Sequence, residues 1–175
     1  MFKRKRKKKY QQTGEQIIAN IFSHPSNSWT LQSKHILRPL MELFDHLSLS
    51  QKQGLEKGGE IIFQQVSGQF SCTVQQPPNA HVILLFPELI RLLTSVNNAR
   101  GLAILAHELG HIYHQHHKKN LPTLEAQIEA DDFAYHAGLG HDLVEVLLSY
   151  RDIDSQTRVS ILTSKIISER QTQPV

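Results

Sequence analysis

The chain of 175 residues is about one domain long, and with 39% hydrophobic and 20% charged residues it has the composition of a globular protein able to bury a core. Its one cysteine, Cys72, excludes an intrachain disulfide framework and a cysteine-rich metal site, and is compatible with a reducing compartment. The formal charge of +3 is unevenly placed: Lys3 to Lys9 are seven consecutive basic residues, leaving twelve basic against sixteen acidic residues in the rest.

Like charges in a block repel and resist ordering, so residues 1–12 are expected to be a disordered basic tail. The first expectation is a solvated tail with no dedicated ligand; the alternative is contact of the Lys3–Lys9 run with nucleic acid or an anionic membrane surface, by counterion release or surface potential. No apolar signal-like segment follows the run, and no stretch approaches the ~18 apolar residues of a membrane span. The expectation is a single cytoplasmic domain over residues 13–175 with no transmembrane segment.

In chain order, Glu15 to Phe22 is expected to form a short helix, and Leu31 to Leu47 a longer one carrying Leu37, Leu40, Phe44 and Leu47 on one side, with Pro39 at its start or at a kink. Ser48 to Gly59 is polar and holds Gly54, Gly58 and Gly59 as breakers, which predicts a turn or frayed helix. Three β-branched segments follow, residues 60–66, 69–74 and 80–86, separated by Ser67-Gly68 and by Pro77-Pro78-Asn79. The two-residue separator is of the kind that closes a hairpin, so a small three-stranded sheet, mixed or antiparallel, is predicted, with the strand from Ala80 to Phe86 offering a free edge to an extended peptide. Pro87 to Leu93 is expected to be a short helix begun by its proline.

Leu102, Leu105, Ala106, Leu109 and Ile112 or Tyr113 recur at helical spacing and predict a helix from about Asn97 or Asn98 to about Lys118. It carries His107-Glu108-Leu109-Gly110-His111, an H-E-x-x-H array. At 3.6 residues per turn His107 and His111 share one face, so both imidazoles can reach a single Zn²⁺ while Glu108 stands beside a metal-bound water as general base. His114, His116 and His117 are expected to be solvated residues on the last turn, where cations suit the helix dipole. Beyond Pro122, helices are predicted from Thr123 to about Ala137, from His141 to Tyr150 and from Asp154 to about Glu169, with Gly138 and Gly140 as the first break.

A catalytic zinc normally takes three protein ligands, so a third is sought. His117 at the metzincin spacing lacks the pattern's glycine, replaced by His114, and the only methionines are Met1 and Met41, so no Met turn follows. The helix from Thr123 offers Glu125 and Glu129. Its small face of Ala126, Ala130, Phe133, Ala134 and Ala137 suits close packing on the motif helix, and Glu129 flanks that face more nearly than Glu125, which makes Glu129 the first choice. Asp131 or Asp132 would accept an N–H from a ligating imidazole.

The combination of Pro78-Asn79-Ala80, the strand after it, Ile104 to His111, Glu129-Ala130-Asp131 and Phe133-Ala134 resembles the gluzincin metallopeptidases of the HtpX and CAAX prenyl protease kind, and in size their soluble single-domain relatives, the minigluzincins. The resemblance spans roughly Asn79 to Leu162. It implies a zincin-like α+β domain, mostly helical with a small sheet packed on it, a zinc site completed by a glutamate of the second helix and supported by a following aspartate, and a late arginine beside the cleft, a place that Arg158 fits. The sequence departs from the family where its ligand glutamate would stand four residues before Asp131, which here is Gln127, and in having Asp152-Ile153 where a His-Pro commonly precedes the arginine.

The function expected is that of a soluble zinc metalloendopeptidase acting on peptides or proteins, with His107, His111 and Glu129 (or Glu125) on the metal, Glu108 activating water, and Arg158, Tyr113 or Tyr135 assisting the oxyanion. Two other classes share these features: a regulatory zinc protease of the ImmA type that acts on a repressor, and a peptidase-like binding protein without catalysis.

Overall fold

Two helices near the N-terminus start by the same local device. Thr13 Oγ1 accepts from the Gln16 amide while the Gln16 side chain accepts from the Thr13 amide, and Ser48 and Gln51 repeat that reciprocal pair. Each pair satisfies amides that a helix start leaves without partners. The structure, a computed structural model, describes residues 12–67, 73–76 and 80–172. The expected basic tail at Lys3–Lys9, Cys72, the Gly68 of the first separator and the Pro77-Pro78-Asn79 loop lie outside the described residues.

Helix α1 (Gly14–Ser23) leads through a 3₁₀ turn (Pro25–Asn27) to α2 (Ser28–Gln32), α3 (Lys34–His46) and α4 (Leu49–Gly58). The single helix expected over Leu31 to Leu47 is thus broken at Ser33, and Pro39 lies inside α3 rather than at a break. The polar stretch expected to be a turn or a frayed helix is a full helix, ending where Gly59 follows. Gly54 and Gly58 do not break α4; they let it approach its neighbour, since a β-carbon at Gly54 would lie 2.1 Å from Tyr113 Cε2 and one at Gly58 3.0 Å from the Ile112 carbonyl oxygen.

Strands β1 (Glu60–Gln65), β2 (Thr73–Gln76) and β3 (Ala80–Leu85) pair in the order β1-β3-β2. β1 runs parallel to β3, with Ile61 opposite His81, and β2 runs antiparallel to it, with Gln76 opposite Ala80. No hairpin therefore joins β1 to β2, and β3 lies in the middle of the sheet instead of offering a free edge. The outer edge of β1 is occupied: Asn27 donates to the Ile61 carbonyl and accepts from the Phe63 amide, both at 2.8 Å, and the Trp29 indole donates to the Phe63 carbonyl at 2.9 Å. Two side chains thus take the place of a further strand along an edge that would otherwise be open to pairing.

Helix α5 (Pro87–Leu93) leads to α6 (Ala99–Tyr113), which carries the H-E-x-x-H array through the centre of the core. α6 stops at Tyr113, short of the Lys118 expected, because Gln115 takes a left-handed conformation (φ 53°, ψ 44°) and starts a separate 3₁₀ turn, His116–Lys118. Helix α7 (Thr123–Ala134) packs chiefly on α6. Gly110 makes that contact close: a β-carbon there would fall 2.8 Å from the Cα of Ala130 and 3.0 Å from the Cβ of Phe133. Of the expected small apolar face, Ala130, Phe133, Ala134 and Ala137 are buried and Ala126 is partly buried. A wide turn with Gly138 at φ 79° leads to α8 (Gly140–Leu147), and α9 (Ile153–Thr172) returns along α7 and α8. The fold is mixed α and β and mostly helical. Among the described residues no helix is long and apolar enough to cross a membrane.

Candidate metal centre

α6 places His107 and His111 one turn apart, and their rings meet edge to face with the two Nε2 atoms 3.2 Å apart. Each ring is held from behind. His107 Nδ1 lies 2.7 Å from Asp131 Oδ1; a carboxylate only accepts, so Nδ1 carries the proton and Nε2 a bare lone pair. Behind His111 the chain of partners is longer: His111 Nδ1 is 2.7 Å from His116 Nδ1, and His116 Nε2 is 2.9 Å from Glu129 Oε2. With all three rings neutral, Glu129 fixes a proton on His116 Nε2, His116 Nδ1 accepts from His111 Nδ1, and His111 Nε2 is left bare as well. In that tautomer two lone pairs face each other across 3.2 Å. Tetrahedral zinc at about 2.0–2.1 Å from each nitrogen sets ligand atoms roughly 3.3 Å apart, so the pair fits such an ion.

Asp131 is anchored in turn by α9. Arg158 donates from Nε to Oδ2 and from its terminal nitrogen to Oδ1, both at 2.7 Å, and that terminal nitrogen lies 3.4 Å from His107 Nδ1. Asp131 is 2% exposed; burial alone would raise its pKa, but the hydrogen bonds from Arg158 and His107 outweigh it and hold the carboxyl below its ordinary value. The His111 pKa is pushed down to about 3, first by burial and then by the neighbouring His107, His116 and Arg158. Hydrogen bonds from Lys119 and His116 hold the Glu129 carboxyl down to about 2. The lowered His111 pKa keeps its imidazole neutral and able to bind a cation.

The sequence-derived site residues fall into two groups. His107, His111, Glu108 and Gln127 line one cavity of about 350 Å³ together with His81, Ile112, His116 and His117. Glu129 belongs elsewhere: its carboxylate is engaged by His116 and by Lys119 Nζ at 2.9 Å, and it reaches His111 only through His116. The side chain that α7 presents to His111 Nε2 is Gln127, with its amide 3.5 Å away, while Glu125 is exposed. Two residues along a helix are ~200° around its axis, which is why Gln127 and Glu129 cannot face the same point. A neutral amide oxygen, brought to His111 by a half-turn of the last torsion, is a weaker cation donor than a carboxylate.

Asp132 is paired with Lys165 and His136, away from both rings. Tyr113 packs on Phe133 and against Gly54, and the Tyr135 hydroxyl donates to the Lys165 carbonyl; neither lines a cavity that contains Glu108. The Tyr135 pKa is pushed up to about 12 by burial and by Glu169. His117 stacks edge to face on His81 with ring centroids 4.7 Å apart, and His81 Nε2 lies 3.1 Å from the Gly58 carbonyl oxygen. His116 is the functional side chain that the sequence hid: it is 9% exposed in its side chain, not solvated, and only the left-handed Gln115 turns it inward.

On the other side of His107 and Glu108 a second, larger cleft of about 620 Å³ opens between α5, α6, α8 and the start of α9. Leu89, Leu92, Ile104, Leu143 and Val146 line it, with Arg158, Tyr150 and the Arg100–Glu145 ion pair at its polar margin. Glu108 therefore stands where the two hollows meet.

A sequence profile described as Peptidase family M48 matches residues 69–147. The match spans β2 to α8, taking in both histidines of α6, Glu108, Gln127, Glu129 and Asp131, and leaving out the N-terminal helices and Arg158. Neither a curated protein nor a solved structure matches the chain.

Proposed function

We propose that this protein is a zinc-dependent metallopeptidase that hydrolyses peptide bonds in the trough running past Glu108. The observation that carries the reading is the facing pair of Nε2 atoms of His107 and His111, 3.2 Å apart and each ring held from behind by a carboxylate, directly or through one further imidazole. The likeness of residues 69–147 to Peptidase family M48 supports a protease, and the H-E-x-x-H spacing supports a gluzincin of the HtpX or minigluzincin type. A zinc ion held by His107 and His111 would supply the Lewis acidity that polarises a peptide carbonyl and acidifies a water.

The chain's own residues have separate tasks in this reading. Glu108 takes the proton of the attacking water and delivers it to the leaving amine. Asp131 fixes the tautomer and direction of His107, and Glu129 does the same for His111 through His116, a supporting role in place of the direct ligation first expected of it. Arg158 holds Asp131, and its cationic edge lines the larger cleft, where a developing oxyanion would be stabilised. The apolar hollow beside it accommodates substrate side chains. Gln127 would offer a zinc ion there a neutral oxygen donor, which predicts weaker metal retention than a carboxylate would give.

That same Gln127 is the one observation in favour of a peptidase-like binding protein without catalysis. Metal analysis together with casein cleavage separates the two. The metallopeptidase predicts one zinc at the α6 histidines and a fall of roughly 10²-fold or more in turnover for Glu108→Gln at unchanged zinc content. Cleavage that survives this substitution, or a chain that takes up no zinc, would overturn it.

A further inference from the structure

Three metal-ligating side chains stand together just beyond the end of α6, outside the His107–His111 pair. We propose that His114, His116 and Glu129 form a second divalent-cation site, and that an ion bound there weakens the first site through the ring of His116. The second clause rests on the zinc reading of the first site; the site itself does not.

The ligand atoms of His114, His116 and Glu129 lie within 4.8 Å of one another. His116 Nε2 is 2.9 Å and His114 Nδ1 3.6 Å from the same carboxylate oxygen, Glu129 Oε2. The two imidazoles are stacked almost parallel, 7° apart with centroids separated by 5.4 Å. Residues two apart in a helix point to opposite sides, and it is the left-handed Gln115 between them that sets these two rings on the same side. A bulky residue at positive φ is a strained conformation of the kind that persists where surrounding structure enforces it, commonly at ligand clamps. The donor set of two imidazoles and one carboxylate suits zinc, cobalt, nickel or copper rather than magnesium or calcium. A cation already stands in the cluster: Lys119 Nζ lies 2.9 Å from Glu129 Oε2, on a partly exposed arm free to swing into solvent when an ion replaces it.

The link to the first site follows from the direction of the hydrogen bonds. An ion on His116 Nε2 excludes the proton that Glu129 otherwise holds there, so neutral His116 carries its proton on Nδ1, 2.7 Å from His111 Nδ1. His111 must then accept at Nδ1 and bear its own proton on Nε2, the atom that faces His107 Nε2. The two protons of the pair move from His111 Nδ1 and His116 Nε2 to His116 Nδ1 and His111 Nε2, and none is gained or lost. Filling the second site thereby removes one donor from the first.

The test is a titration of the metal-stripped full chain with Zn²⁺ and Co²⁺, followed by calorimetry and by the cobalt absorption spectrum, in parallel with a cleavage assay. Two binding events are expected; the one at the second site is the weaker because the ion must displace the Lys119 ammonium and shift the His116 proton, and it should be lost or reduced on the order of tenfold or more in His114→Ala and strengthened in Lys119→Ala, which removes the competing ammonium. Cleavage should rise with the first equivalent and fall as the second fills, and the fall should vanish in His114→Ala. A single binding event, or a weaker event that neither substitution moves, would overturn the second site while leaving Glu108-dependent cleavage untouched. A weaker event that responds to both substitutions in a chain without Glu108-dependent cleavage would instead uphold the second site and bring down the peptidase reading.

Discussion

Gln127 and Glu129 differ by one functional group and two positions, yet they face opposite tasks. Gln127 presents an amide to His111 Nε2, and Glu129 steers His111 from behind through His116. Restoring the charge at the first position should strengthen the centre: Gln127→Glu is expected to tighten zinc binding by on the order of tenfold or more, read by competition with a chromophoric chelator, and an unchanged affinity would show that residue 127 does not meet the ion. The buried imidazoles also predict a pH dependence. His111 titrates near 6.5 when unfolded and at about 3 when folded, so the unfolded chain binds more protons between those values. Stability of the metal-free protein should therefore fall as pH drops below about 6.5, with a slope of up to about 1.4 kcal/mol per pH unit. Asp131 and Glu129 have depressed folded pKa values, so what they contribute is present above the ordinary carboxyl range and is lost only in stronger acid. Urea midpoints measured from pH 7.5 to pH 4.5 check this, with a flattened slope expected for His111→Asn.

At the scale of elements, α6 and α7 must approach closely enough for Asp131 to reach His107, and Gly110 is the residue that permits it. Gly110→Ala would drive a methyl into the Ala130 backbone at 2.8 Å. The expected cost is about 1–3 kcal/mol of stability from overpacking, together with loss of metal affinity as the Asp131–His107 contact opens, measurable by thermal melts and zinc titration on one preparation. A variant that keeps wild-type stability and metal binding would show that the helices can slide apart without consequence. This is also where sequence patterns stop being sufficient. The apolar spacing of α6 and the small face of α7 are local properties and were legible. The glycines of α4 were not, because whether a glycine breaks a helix or lets a neighbour in depends on the neighbour, here Tyr113 and Ile112.

Over the whole molecule, Asn27, with Trp29 beside it, ties the N-terminal helices to the sheet. Asn27 is fully buried and makes three hydrogen bonds of 2.8 Å, to the Ile21 carbonyl and along the outer edge of β1. Asn27→Ala would strand those backbone groups away from water, with an expected loss of about 3 kcal/mol or more, read as a lowered urea midpoint with unchanged slope. A loss under about 1 kcal/mol would mean that water or another side chain takes over the edge. The same long-range order assembles the candidate site, which draws on α6, the turn after it, α7 and, for Arg158, the far helix α9.

The amino-acid sequence by itself determined what lies within one helical turn: the His107–His111 pair, the adjacent Glu108, the small face of α7 and the mostly helical α and β composition all follow from spacing and residue type. Tertiary structure alone decided which side chain of α7 meets the pair, that His116 turns inward at Gln115, and that β3 sits between β1 and β2. The reason is physical. A rotation of ~100° per residue on α7 separates Gln127 from Glu129, and the phase of that rotation is set by the close contact at Gly110 and Ala130, between residues that the chain itself keeps twenty positions apart.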